Sequence, residues 1–399
     1  MELKPGYKQT EVGVIPEDWE VVPLGECLST RPSYGINAPA VPFSDRLPVY
    51  IRITDITSDG RFLPGEVVSV DSALSGNYYL KDGDIIFART GASVGKSYRY
   101  NPKDGPLVYA GFLIRVQPNA QKLLPAFAAA YVTTGNYWRW VRLMSMRSGQ
   151  PGISGSEYSQ LPIALPPLPE QRAIAEALSD MDELLSGLDR LIAKRRDLKQ
   201  SAMQQLLTGQ TRLPGFHGEW EIKSLAAICS MKSGEGITSA DIDQFSAYPC
   251  YGGNGLRGFT SRFTHVGNYA LIGRQGALCG NVYGIEGYFF ASEHAIVVTA
   301  FATTDIRWLT YMLGTMNLNQ YSESSAQPGL SVSKILKLDL VIPPTKDEQI
   351  AIAEVLSGMD AEIAALERRR EKTHALKQAM MQELLTGRTR LVAAGASHA

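Results

Sequence analysis

The stretch RTGASVGKS, Arg89–Ser97, carries the residue types of a phosphate cradle: glycines that free the backbone, then Gly-Lys-Ser to set an ammonium and a hydroxyl beside a nucleotide. A P-loop needs the spacing G-x-x-x-x-G-K-S/T, so that successive backbone N–H groups wrap the phosphates before a helix begins. Here only Ala92, Ser93 and Val94 separate Gly91 from Gly95. The residues that follow, SYRYNPKDGPLVY, alternate aromatic with polar and then meet Pro102 and Gly105, which predicts a second strand and a turn. The expected element is a strand GDIIFA, a glycine turn and another strand.

Other reactive groups are sparse. Cys27, Cys229, Cys250 and Cys279 show no CxxC spacing and read as free thiols in a reducing compartment. Cys250, Cys279, His265 and His294 are zinc-ligating types, but their irregular spacing matches no zinc framework. There is no GxSxG, no Asn-Pro-Pro-Tyr-like methyltransferase loop and no complete Walker motif. No catalytic residue and no metal site is therefore expected.

What must position anything functional is a chain of 399 residues, long enough for two or three domains, with 44% hydrophobic and 20% charged residues. No apolar run approaches the roughly 20 residues of a membrane span, and MELKPGYKQTEVG lacks a signal core, so a cytoplasmic protein with no membrane partner is expected. The net charge of −1 argues against gripping nucleic acid by bulk positive charge. Locally the balance differs. Gly105 to Ser156 contains no Asp or Glu but holds Arg115, Lys122, Arg139, Arg142 and Arg147, and Gln244 to Ile285 is acid-free with Arg257, Arg262, Arg274 and His265. Each window predicts a mildly positive face or a buried β structure poor in charge.

The chain repeats itself. PEQRAIAEALSDMDELLSGLDRLIAKRRDLKQSAMQQLLTGQTRL, from Pro169, recurs as DEQIAIAEVLSGMDAEIAALERRREKTHALKQAMMQELLTGRTRL, from Asp347, at one constant offset. QPGIS (Gln150) and QPGLS (Gln327) precede the copies, each followed by a strand-like run into Pro-Pro, IALPP and LVIPP. After the first copy, LPGFHGEWEIKSLAAIC echoes the chain's beginning, GVIPEDWEVVPLGEC, so Trp220 answers Trp19. This cyclic order predicts two tandem units and a pseudo-twofold molecule.

Each repeated copy predicts a long helix. Acidic Glu170, or Asp347 and Glu348, suits the N-terminal dipole, and Gly209 and Gly387 mark the stops. Ile174, Leu178, Met181, Leu185, Leu188 and Ile192, and then Ile352, Leu356, Met359, Ile363 and Leu366, form a heptad seam. It breaks at Lys194, Arg195, Arg196 and at Arg368, Arg369, Arg370, then resumes at Leu198, Leu206 and Leu376, Leu384. From Glu170 to Thr208 such a helix spans on the order of 58 Å, too long for a small domain to bury, so the two copies should pair antiparallel.

Between the helices, LPVYIRITDI, DGDIIFAR, KSYRYN and LVYAGFLIRVQP read as strands before a helical AFAAAYVTTGNYWRWVRL. NYALIG, NVYGIEGYFF and HAIVVTA, before DIRWLTYMLGTMN, answer them in the second unit. The fold class is α+β. The scaffold is duplicated, but the loops hardly match, which suggests one kind of task performed on two targets.

YKQTEVGVIPEDWEVVPLGE, GDIIFARTGASVGKS, SGQPGIS, PPLPEQRAIAEAL and LKQSAMQQLLTG, with YPCYGGNGLRGF, AQPGLS, IPPTKDEQIAIAEVL and LKQAMMQELLTG in the second half, resemble the specificity subunit of Type I restriction-modification systems. The resemblance covers essentially the whole chain. It implies target-recognition domains at 1–165 and 213–342, spacer helices at 166–212 and 343–391, and a flexible tail at 392–399. It implies a non-catalytic chain whose domains each read half of a split double-stranded DNA site. Two methyltransferase subunits would dock on the helices, and restriction or translocase subunits would complete the complex. No cofactor is expected in this chain; S-adenosylmethionine, ATP and Mg would belong to the partner chains. The alternative reading of the same features is a coiled-coil scaffold with peptide- or protein-binding heads.

The second unit speaks against a phosphate cradle. GRQGALCGN, Gly273–Asn281, keeps the arginine and glycines as Arg274, Gly276 and Gly280 but replaces Lys96 and Ser97 with Asn281 and Val282. Arg reads guanine and Asn or Gln reads adenine in the major groove. The expected DNA-contacting residues are therefore Tyr34, Asn37, Arg89, Thr90, Ser93, Lys96 and Arg99 in the first domain, and Tyr251, Asn254, Arg257, Arg274 and Gln275 in the second.

Overall fold

Two helices of equal length, Leu168–Leu206 and Lys346–Leu384, organise the molecule. The structure is a computed structural model that describes residues 5–146, 151–276, 278–322 and 329–392. Arg147, Gln150, Gln327 and all of the expected tail beyond Val392 lie outside the described residues. The helices stop where the repeat predicts. Gly209 and Gly387 take φ of 72° and 70°, the left-handed conformation that glycine adopts without a Cβ penalty.

By contacts the chain divides into two compact units, Met1–Gly187 with Arg369–Ala399, and Leu188–Arg368. Each unit therefore contains part of both long helices. In the first, Ile174 and Leu178 share a buried cluster with Leu384 and Leu385, while Asp182 pairs with Lys377 at 2.6 Å. In the second, Leu206 and Leu207 share a cluster with Ile352 and Leu356, while Lys199 pairs with Asp360 at 2.5 Å. The residue order in these contacts makes the two helical segments run in opposite directions within each unit.

The seam is buried at Ile174, Leu178, Leu188, Ile192, Ile352, Leu356 and Ile363. It does not resume at Leu198 and Leu376, which are 41% and 55% exposed; only Leu206 and Leu384 return to the core. In the first basic triplet, Arg195 and Arg196 pair with Glu362 and Glu367. These arginines are matched by acids of the same unit.

One clamp recurs at the helix starts. Glu170 and Glu348 are buried and accept bidentate hydrogen bonds from Arg390 (2.5 and 2.7 Å) and Arg212 (2.7 and 2.6 Å), which stand just past the other helix's stop. The neighbouring Gln171 and Gln349 accept the backbone N–H of Leu124 and of Asp305, at the entry to a helix of the globular part. The Glu-Gln dipeptide of the repeat thus fastens three chain segments together.

Each globular part is built on one sheet plan. In the first unit the strand order is Leu28–Tyr34, Leu113–Pro118, Ile85–Ala88, Ser97–Arg99; in the second it is Cys229–Ser233, Ala295–Ala300, His265–Gly273, Val282–Ala291. The second sheet continues into Tyr248–Gly252 and Gly255–Thr260, giving six strands. The first unit instead forms a separate four-stranded sheet from Leu107–Tyr109, Val49–Ile51, Val68–Val70 and Ala40–Pro42. The predicted strand LVYAGFLIRVQP is therefore two strands in two sheets. The Trp echo holds as well: Glu20–Pro23 pairs with Pro162–Leu165, and Glu221–Ser224 with Asp339–Ile342.

Candidate functional site

The glycine turn is a hairpin connection, as its residue pattern predicts. Ile85–Ala88 pairs antiparallel with Ser97–Arg99, and between them Gly91–Ser93 makes a single 3₁₀ turn, with Gly91 and Gly95 at φ of 70° and 87°. No helix follows, so nothing aims a helix N-terminus at a phosphate.

A strand-like segment clamps this turn. The Ile153 N–H donates to the Arg89 carbonyl (2.9 Å), the Gly91 N–H to Pro151 (3.1 Å), and Thr90 bridges Gly152. The second unit repeats the device: the Leu330 N–H donates to the Arg274 carbonyl (2.9 Å), and Gln275 bridges Gly329. Residues of QPGIS and QPGLS therefore hold the Arg-Gly turns in place by backbone bonds that do not depend on side chains.

Behind the first turn lies a buried aromatic wall. The Tyr137 hydroxyl donates to the Gly95 carbonyl (2.6 Å) and Tyr158 stacks on Phe87 at 4.5 Å. Burial raises the Tyr137 and Tyr158 phenols above the ordinary tyrosine value, so both remain protonated donors. In the second unit the Cys279 thiol lies 3.3 Å from the Arg274 carbonyl, and burial raises its pKa as well.

In front of this wall the structure gathers most of the expected residues of the first domain. The Arg89 guanidinium lies 4.8 Å from the centre of the Tyr34 ring, and the Tyr34 hydroxyl accepts the Gly155 N–H at 3.0 Å. The Arg89 Nε is buried and has no hydrogen-bond partner among the described residues. Asn37 is exposed beside Gly111, where a Cβ would stand 3.4 Å from the Asn37 Cα. Thr90 and Ser93 are half-buried in the turn itself.

Two residues of that set fall elsewhere. Lys96 reaches back, its ammonium 3.4 Å from the Ile56 carbonyl. Arg99 is exposed at the far end of the hairpin, opposite Ile85.

In the second unit the hairpin tip Gly252–Asn254 meets the turn, since a Cβ on Gly253 would stand 2.9 Å from the Gln275 carbonyl and 3.0 Å from that of His294. Exposed Asn254 and Gln275 and half-buried Arg274 are brought together there, with exposed Arg257 on the returning strand. Tyr251 is half-buried beside this surface, and its ring packs edge-on against Phe289 of a buried cluster, 6.2 Å between centres.

Sequence reading did not set Phe112 or His294 beside the two turns that they border, and named His294 only as a zinc-ligating type. The Arg89 N–H donates to the Phe112 carbonyl (3.1 Å) and the Arg274 N–H to that of His294 (2.9 Å). Their common place becomes legible only once the strands Leu113–Pro118 and Ala295–Ala300 are aligned. Within the acid-free windows, Arg115 points inward to Asp84 at 3.8 Å, whereas Lys122, which donates to the Glu26 carbonyl, and Arg139 and Arg142 are exposed. All four cysteines are free and buried, and no cluster of three or more metal-ligating side chains occurs among the described residues. No helix among them is long and apolar enough to cross a membrane.

The same frame built twice agrees with the comparison to known families. The family described as Type I restriction modification DNA specificity domain matches residues 16–193 and again 217–374. The chain belongs to this family. Among specificity subunits, it is 45% identical over 146 residues to the EcoprrI subunit of Escherichia coli, spanning 36% of each chain, so only about a third of that relative's length is matched. It is 21% identical over 423 residues to the MjaVIII specificity subunit of Methanocaldococcus jannaschii, spanning 94% of each. The fold is that of the Type-I restriction-modification system S subunit from M. genitalium, with a TM-score of 0.66 at 15% identity over 96% of this chain and 98% of that one. It also matches a chain from a structure of complex assembly and conformational transition in the type I R-M system, with a TM-score of 0.55 at 19% identity over 94% and 99%. The specificity-domain match thus falls once on each globular part, with its Arg-Gly turn and clamping segment.

Proposed function

We propose that this chain is the non-catalytic recognition subunit of a Type I restriction-modification complex, with domains at 1–165 and 213–342 each reading one half of a bipartite double-stranded DNA site. The observation that carries this reading is the turn built twice on the same backbone bonds, Arg89 with Ile153 and Arg274 with Leu330, but bordered by unrelated exposed side chains. A fixed frame with exchangeable side chains suits two different half-sites, because base edges are told apart by donor, acceptor and methyl patterns.

In the same reading the helices at 166–212 and 343–391 act as an antiparallel spacer of pseudo-twofold design and dock two methyltransferase subunits. Leu198 and Leu376, exposed at equivalent places of the repeat, suit such docking. Methylation and cleavage, with S-adenosylmethionine, ATP and Mg, then belong to the modification and restriction subunits. A chain of net charge −1 binds DNA weakly on its own and acquires affinity within the complex.

The test is to map methylated adenines in cells carrying this chain with its modification partner. A motif of two short specific halves separated by a fixed gap is expected, and a continuous undivided motif overturns the reading. Exchanging Gly83–Tyr100 for the segment of another specificity subunit should change one half alone.

A further inference from the structure

Phe112 and His294 occupy one place in the two units, yet share no chemistry. Each precedes an interior strand of its sheet, and each accepts through its carbonyl the N–H of the arginine that opens the turn. Phe112 is 60% exposed, and its preceding Gly111 packs on the backbone of Ile36 and Asn37. The backbone here is tied to the Arg89 turn, whose guanidinium faces the Tyr34 ring, while the Phe112 side chain stays largely open to solvent. His294 instead sets its Nδ1 3.0 Å from the Gln275 Oε1 and its Nε2 3.2 Å from a Glu293 carboxylate oxygen.

A phenyl ring has no hydrogen bond to offer a phosphate, so a phosphate contact does not explain its exposure beside Arg89. In the major groove the apolar group on a base edge is the C5 methyl of thymine, whereas imidazole and amide groups match base donors and acceptors. We propose that this shared place is a base-reading position in both units: Phe112 selects an A·T pair through the thymine methyl, and His294 with Gln275 selects its base by hydrogen bonding. The assignment rests on the half-site reading above and names the residues that would differ between the halves.

The experiment uses the complex with its modification partner and a duplex carrying the mapped motif. Each thymine of one half is replaced in turn by uracil, which lacks only the methyl. One replacement should weaken wild-type binding about fourfold, the worth of one methyl-sized apolar group. Phe112→Ala should bind thymine and uracil duplexes alike, Phe112→Leu should keep the preference, and uracil in the other half should not distinguish Phe112→Ala from wild type. His294→Ala should keep the uracil response but relax one position of the other half in methylation mapping. A uracil penalty that persists in Phe112→Ala, or no penalty at any thymine, overturns the assignment while leaving half-site reading intact. Absence of a bipartite motif in the wild type sinks both.

Discussion

The two units share their fastenings and differ in what they hold out. Both clamp an Arg-Gly turn with a Gly-Ile or Gly-Leu segment, and both bury a glutamate under an arginine from beyond the opposite helix. Around these, the second unit extends one sheet to six strands where the first makes two sheets of four. The clamps differ in their outer contacts. Arg390 also grips Asp18 (2.9 and 2.8 Å), and Glu170 accepts the Trp19 indole N–H (2.9 Å), whereas Arg212 turns to the carbonyls of His217 and Gly218. The Trp220 indole nitrogen is buried with no partner among the described residues. What a duplicated fold retains, then, is the contact that fixes backbone geometry, while side chains that only surround that contact are free to diverge.

The sharpest test of the shared clamp removes its arginine. Arg390→Ala and Arg212→Ala each leave a buried carboxylate without its cation, and each should destabilise its own unit by roughly 3–5 kcal/mol, the cost of breaking a buried pair. Denaturant unfolding combined with hydrogen exchange resolved by unit measures both. A loss below about 1 kcal/mol in either unit would show that its glutamate is adequately satisfied by other partners.

The clamp also marks what the sequence could and could not announce. The long helices, their stops at Gly209 and Gly387, and the hairpin at Arg89–Ser97 were legible because each depends on neighbouring residues: periodic apolar positions, a glycine at positive φ, alternation after the turn. The pairing of Thr90 with Gly152 was not, since it joins segments far apart in sequence and uses only backbone atoms. For the same reason the shared place of Phe112 and His294 was not legible, since it comes from strand alignment; His294 stood out only as a zinc-ligating type. Gly111 hid another feature, because an apolar run broken by a single glycine reads as one strand, yet the chain changes sheets there. Leu198 and Leu376 misled in the opposite sense: leucines expected to continue the seam are exposed.

Smaller effects separate the two glycines within each turn. Gly91 and Gly276 have positive φ and nothing within 4 Å of a built Cβ, so alanine there should cost only the left-handed penalty of about 1–2 kcal/mol. At Gly95 a Cβ would stand 2.7 Å from a Val141 methyl, and at Gly280 2.5 Å from the backbone nitrogen of Asn319. Overpacking adds roughly 1–3 kcal/mol. Because a side chain yields more readily than backbone, the expected order of destabilisation is Gly280→Ala, then Gly95→Ala, then Gly91→Ala and Gly276→Ala together. Equal losses for all four in thermal unfolding would show that the second glycine of each turn is required by φ alone.

The smallest difference should appear only on acidification. Hydrogen bonding from Arg390 holds the Asp18 carboxyl below the ordinary aspartate value, although burial works against this. A carboxylate depressed in the folded state adds stability that is fully present above the unfolded value of about 3.9 and is lost as pH falls through the lower folded value. The second unit has backbone carbonyls of His217 and Gly218 at this point of its clamp, and these do not titrate. Asp18→Asn should therefore be less stable than the wild type at neutral pH by a modest amount, Asp18 being 42% exposed on its side chain, and the gap should close below about pH 4. A gap that stays constant down to strong acid would mean that Asp18 acts by shape and neutral hydrogen bonding, and the two clamps would then differ in composition without differing in electrostatics.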